Sequence, residues 1–201
     1  MIARITHITL WVALVLALVV SCVQVRLAFA ADPEVLAALE RALGEAPNRV
    51  RKTLREELRR VCTRESNCEQ VAHHEADGWS GERFWRGAVA KGWLAPEECP
   101  SHDLGEHPED WAPRGAWGVS PAYTLRFADD ENEDGVRDCW GPEMHDDPWV
   151  AARLMVRWVV AIGKRGYGTC EDRVRVWVGV GRWKRLSPER QAATIARQCG
   201  A

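Results

Sequence analysis

The 201-residue chain has no internal repeat, no long low-complexity linker and no large excess of either charge. The first absence excludes a stacked solenoid, which would show a fixed sequence period. The second leaves no point at which the chain after its first thirty residues would divide, so one domain with a real core is expected. The third argues against nucleic acid as a partner: 27 basic residues, less Arg4 and Arg26 near the start, leave 25 against 29 acidic ones. Convincing strands are also lacking outside one short segment, and the cysteine spacings fit no common zinc motif. The one long apolar run, residues 10–20, falls short of the roughly 20 residues that a spanning helix needs.

That run is the first feature present. Arg4 and His7 precede it, and Ala28-Phe29-Ala30 follows it, ahead of Ala31-Asp32-Pro33. A basic start, an apolar stretch and a small-x-small site form the order of a secretory signal peptide, here residues 1–30 with cleavage after Ala30. Val19-Val20-Ser21-Cys22 also resembles a bacterial lipobox, in which Cys22 would carry a lipid anchor. The expected location is therefore secreted or periplasmic, with a membrane-anchored lipoprotein as the alternative. Beyond Cys22 the cysteines are Cys62, Cys68, Cys99, Cys139, Cys170 and Cys199. An even set of six suits a disulfide framework in an oxidising compartment, and six cysteines allow fifteen pairings. Trp11 set aside, ten of the 11 tryptophans remain, and their faces suit sugar rings as well as cores.

Helix signals dominate residues 31–201, and the expected fold class is mainly α, a single disulfide-stabilised helical domain. Asp32 can cap a helix with Pro33 in its first turn and Gly44 after it. Pro47 opens a second, with Val50, Leu54, Leu58 and Val61 on one face. Ser80 can cap a third that stops at Gly92. Residues 95–115 read as a loop, Ser120-Pro121 starts a short helix, and residues 129–138 form an acidic turn. Asp147-Pro148 opens the most apolar helix, and Ser187-Pro188 opens the last. Residues 173–183 fit either helix or strand, because Val174, Val176, Val178 and Val180 alternate.

Glu65 extends the stripe of the second helix: from Val50 the steps are four, four, three and four. A carboxyl at the end of an apolar face, in the last turn, meets partial burial and the negative end of the helix dipole. Both favour the protonated form, which a glycosidase needs in order to protonate a leaving oxygen. The plainer reading is a solvated helix-end residue.

Arg64-Glu65-Ser66-Asn67, followed downstream by Arg114-Gly115-Ala116-Trp117-Gly118-Val119, resembles the lysozyme-like lytic transglycosylases. In that family Glu-Ser closes a helix, a Gly-Ala-x-Gly-Leu-Met-Gln segment lines the cleft, and a helix opened by Asp-Pro and an aromatic motif follow. Asp147-Pro148 and Val176-Trp177-Val178-Gly179 stand in the same order. The resemblance spans roughly residues 50–199 and implies cleavage of the β-1,4 bond between N-acetylmuramic acid and N-acetylglucosamine in peptidoglycan. Glu65 would be general acid and then base, without a cofactor. Ser66, Gly115, Gly118, Tyr123, Trp117 and Trp177 would contact the glycan, the glycines letting the backbone approach a sugar closely. Two departures stand out: Val119-Ser120-Pro121 replaces Leu-Met-Gln, and Trp177 replaces a tyrosine. They support a rival, a non-catalytic wall-binding or envelope-structural protein on the same fold. A hydrolase of goose-lysozyme type would add a second carboxylate from the following loop, for which Asp77 and then Glu75 are placed. The expected partners are peptidoglycan glycan strands and no nucleic acid, with the protein acting as a monomer.

Two further constellations carry metal chemistry. Asp130, Asn132, Asp134, the Val136 carbonyl and Asp138 match the first part of a calcium loop, with Gly135 at its sharp turn. The closing glutamate is missing, since Gly141 stands at position twelve, and an unliganded acidic turn is the alternative. Calcium here would be structural. His73-His74-Glu75 and His102-Asp103 with His107 invite a zinc-peptidase reading, but the first lacks a second histidine at the required spacing.

Overall fold

A computed structural model describes residues 31–70, 81–128, 130, 134–178 and 180–200, with the side chains of residues 180 and 181 left out. Helix α1 spans Pro33–Leu43, α2 Asn48–Ser66, α3 Gly81–Val89 and α4 Pro121–Thr124. Helix α5 spans Pro148–Lys164, α6 Cys170–Val178, α7 Val180–Trp183 and α8 Pro188–Cys199. The chain is mainly helical, as its periodicity predicts. No strand forms among the described residues, and the nearest approach to a ladder is one antiparallel bridge between Arg114 and Val119. Nor is any described helix long and apolar enough to cross a membrane.

The helix starts obey local chemistry. Asp32 accepts the Glu34 amide at 2.8 Å and Asp147 accepts the Trp149 amide at 2.7 Å, while Ser120 and Ser187 accept the amides of Ala122 and Arg190. Each is followed by a proline in the first turn, where its missing N–H costs nothing. The segment 173–183, which fits strand or helix by sequence, is helical in α6 and α7. Its alternating valines do not line one sheet face; Val174 packs inward and Val176 is half-buried. Residues 95–115 are less irregular than a loop, with short 3-10 turns at Pro100–His102 and Pro108–Trp111. The proposed cap Ser80 lies outside the described residues.

Helix α1 packs along α5 and against α2, and α8 packs against α2 and α6. Leu39 and Leu43 of α1, Leu54 and Leu58 of α2, and Leu154 and Met155 of α5 are buried. Each such side chain contributes about 1.5–3 kcal/mol on burial. A second group of buried apolar residues, Phe84, Ala88, Trp111, Ala122, Leu125 and Leu154, binds α3 and α4 to the Pro108–Trp111 turn between them and to α5. One charged pair is also interior. Glu57 accepts from Arg173 Nε at 2.8 Å and 3.0 Å, both side chains being about 5 % exposed or less. Arg173 also donates to the Gly168 carbonyl at 2.8 Å, so α2 is joined to the start of α6.

The six cysteines pair as Cys62–Cys68, Cys99–Cys139 and Cys170–Cys199. The first closes the end of α2, the second ties two loops, and the third clamps the start of α6 to the end of α8.

Candidate functional site

Glu65 is the next-to-last residue of α2, and Asn67 ends the helix in the left-handed conformation at φ 58°. The Asn67 amide donates to Thr63 and the Cys68 amide to Cys62, which satisfies carbonyls of the last turn. Cys68 is also left-handed, at φ 57°, and its disulfide to Cys62 holds the reversal closed. The tetrad Arg64 to Asn67 therefore sits inside a short covalent ring.

Ser66 reaches across to the second motif: its Oγ donates to the Ala116 carbonyl at 2.8 Å, a bond between residues 50 apart. Residues 114–119 form a reversal in which the Arg114 amide donates to Val119 and the Gly118 amide to Gly115. Gly115 at φ 72° and Gly118 at φ 58° are both left-handed, a conformation that a Cβ would strain. Trp117 inserts behind the turn, 1 % exposed, and its Nε1 donates to the Leu58 carbonyl of α2 at 3.1 Å. Its ring is taken up by the core and anchors the turn to α2; in this position it offers no open face for a sugar.

The Glu65 side chain is 30 % exposed and that of Arg64 25 %. Arg64 Nε donates to Glu65 Oε1 at 2.7 Å, and Arg64 Nη2 donates to the same oxygen. Burial and a helix end are thus joined by a guanidinium, a neighbour that the apolar spacing did not signal.

Beneath the turn lies a polar layer. Gln70 Nε2 donates to the His145 carbonyl at 2.6 Å, and the Gln70 amide lies within 4 Å of the position a Cβ on Gly115 would take. The His145 imidazole is buried, with Nε2 2.7 Å from Thr124 Oγ1. Desolvation, and then the nearby Arg114 guanidinium, push it down to about 3, so it is neutral at ordinary pH. Arg114 donates to both carboxylate oxygens of Asp146, at 2.7 Å and 2.9 Å. These contacts hold the Gly115–Gly118 reversal between α2 and the start of α5.

The remaining expected contacts fall elsewhere. Tyr123 is half-buried and packs edge-on against Phe84, at 5.3 Å, and Trp93, at 5.5 Å. Burial pushes its hydroxyl up, with Arg83 opposing. Trp177 is half-buried and meets Trp158 edge-on at 5.1 Å. Asp77, Glu75, His73 and His74 lie outside the described residues. His102 is buried, its Nδ1 accepting the Ala95 amide at 3.1 Å, while His107 is at the surface beside Glu109 at 3.0 Å. Burial of His102, then Arg137, pushes it down, against a backbone bond at Trp140. In the acidic turn, Asp130 accepts the Gly135 amide at 3.1 Å and Asp134 accepts the Val136 amide at 2.8 Å. Val136 is exposed, and Asn132 lies outside the described residues. No group of three or more His, Cys, Asp or Glu placed to hold a metal occurs among the described residues.

No family model matches this chain, and no curated protein or solved structure does.

Proposed function

We propose that the domain cleaves the β-1,4 bond between N-acetylmuramic acid and N-acetylglucosamine in peptidoglycan, with Glu65 as general acid and then base. The observation that carries this reading is the Ser66 to Ala116 hydrogen bond. It joins the two segments that resemble the transglycosylases, so a partly exposed carboxyl stands at a helix end tied to a glycine-bearing reversal. Glu65 would donate its proton to the glycosidic oxygen as the C1–O bond breaks. The sugar's own 6-hydroxyl would then attack C1 and return its proton to Glu65, closing an anhydro ring and regenerating the acid. The pairing of all six cysteines supports an oxidising compartment, and hence a secreted or periplasmic enzyme.

Digestion of purified peptidoglycan, with products read by mass spectrometry, tests this. Glu65→Gln should lower the rate by about 10²–10⁴-fold, the range for loss of a general acid, while wall binding persists. Anhydro products identify a transglycosylase, and reducing-end products a hydrolase. A Glu65→Gln variant that digests wall like the parent rejects the reading. The Arg64–Glu65 ion pair favours a second reading, a non-catalytic peptidoglycan-binding or envelope protein in which Glu65 is a structural partner. Binding by the parent without any product would select it.

A further inference from the structure

Arg64 and Glu65 are consecutive in α2, and consecutive helical side chains diverge by about 100°, so they do not ordinarily face each other. Their contact calls for a third group that draws the guanidinium over. Gln198 of α8 is that group. With its amide turned so that the oxygen faces Arg64, the orientation in which donors meet acceptors, Oε1 accepts from Arg64 Nη1 and from Nη2 at 3.3 Å. Gln198 is 7 % exposed, and its carbonyl accepts from Arg60 Nε at 2.9 Å. The next residue, Cys199, is bonded to Cys170. A fixed group from the far end of the chain thus holds Arg64, and Arg64 holds Glu65.

Both Arg64 bonds fall on Oε1 of Glu65, and Oε2 accepts none among the described residues. We propose that Arg64, held by Gln198 of the terminal helix, is the positioning residue that reserves Oε2 of Glu65 for proton transfer. This rests on the glycosidase reading above. A protonated carboxyl carries its hydrogen on one oxygen and accepts on the other. A guanidinium only donates, so it occupies Oε1 and leaves Oε2 as the oxygen through which Glu65 gives up and takes back a proton. From Oε2 the proton passes to the leaving oxygen as the glycosidic bond breaks, and to Oε2 it returns from the incoming hydroxyl. Arg64 exchanges no proton and keeps the carboxyl in one orientation throughout.

The test uses the full oxidised protein and two variants. Gln198→Leu keeps the side-chain bulk and removes the acceptor, whereas Gln198→Glu keeps an acceptor facing Arg64. The expected result for Gln198→Leu is a kcat on peptidoglycan lower by about tenfold with KM nearly unchanged, as for loss of orientation without loss of binding. Gln198→Glu should recover most of that loss. In parallel, the Arg64 Nε–H resonance should exchange slowly in the parent and rapidly in Gln198→Leu. An active parent whose Gln198→Leu variant keeps the parental kcat, or keeps the protected Arg64 resonance, overturns this inference alone. A folded parent that yields no products overturns the glycosidase reading beneath it, whatever the resonance does.

Discussion

Acid should destabilise this domain through one buried imidazole. His145 is 2 % exposed, faces Thr124 at 2.7 Å, and stays neutral down to about pH 3, because burial and then Arg114 oppose its charged form. In the unfolded chain the same histidine takes a proton near 6.5, the ordinary value of an imidazole. Between those limits the unfolded state binds a proton that the folded state refuses. Stability from this group is therefore complete above pH 6.5 and falls as the pH drops toward 3. At about 1.4 kcal/mol per pH unit, the loss is about 3 kcal/mol at pH 4.5 and approaches about 5 kcal/mol at pH 3. A domain of ordinary stability, about 5–15 kcal/mol, would lose a large share of it. The assay is urea unfolding with disulfides intact, from pH 4.5 to 7.5, on the parent and His145→Gln. Glutamine can face Thr124 but does not titrate, so its packing cost displaces the whole curve and leaves the slope to report the imidazole. His102, whose charged form burial also disfavours, is common to both proteins and cancels. Equal slopes for parent and variant between pH 5 and 6.5 would refute the reasoning. Because the His145 carbonyl receives Gln70 beside Gly115, the candidate site should loosen in the same window.

Other outcomes follow from single contacts. Glu57→Ala strands the Arg173 guanidinium in the interior and should cost about 3–5 kcal/mol in urea unfolding, whereas Glu57→Leu with Arg173→Met should recover most of it. Gly118→Ala places a Cβ at φ 58° and should cost about 1–2 kcal/mol, read as a lower thermal midpoint; no change would mean that the turn is not left-handed there. Ser66→Ala removes the donor to Ala116 and should cost about 1 kcal/mol while lowering peptidoglycan digestion, and unaltered digestion would separate that bond from catalysis.

Helix α2 shows why so much of the fold was legible. Its stripe from Leu54 to Val61 is buried as its spacing predicts, because a helix face is fixed by residues three and four apart and needs no distant partner. Caps at Asp32, Ser120, Asp147 and Ser187 were legible for the same reason: each bonds an amide two or three residues on. The valines of residues 173–183 were ambiguous because a short alternating run fits either period, and only the neighbours, α8 and the Cys170–Cys199 bond, select helix.

The candidate site divides along the same line. Glu65 stood out locally, from a periodicity that ends in a carboxyl, while Gly115 and Gly118 stood out only through the resemblance to the transglycosylases. Arg64, Gln70, Gln198 and His145 did not, since each acts through a partner far along the chain, and no local pattern marks an arginine that will meet a glutamine from the last helix. The sequence by itself determined most of the helices, their caps, the even cysteine set and the carboxyl at the end of the second stripe, because these depend on the order of near neighbours. Only the tertiary structure decided which cysteines pair, that Trp117 belongs to the core, that Glu57 meets Arg173 inside, and that Glu65 has a guanidinium on one oxygen. Those outcomes depend on which surfaces meet when α1, α2, α5 and α8 pack, and packing brings together groups that the chain order keeps far apart.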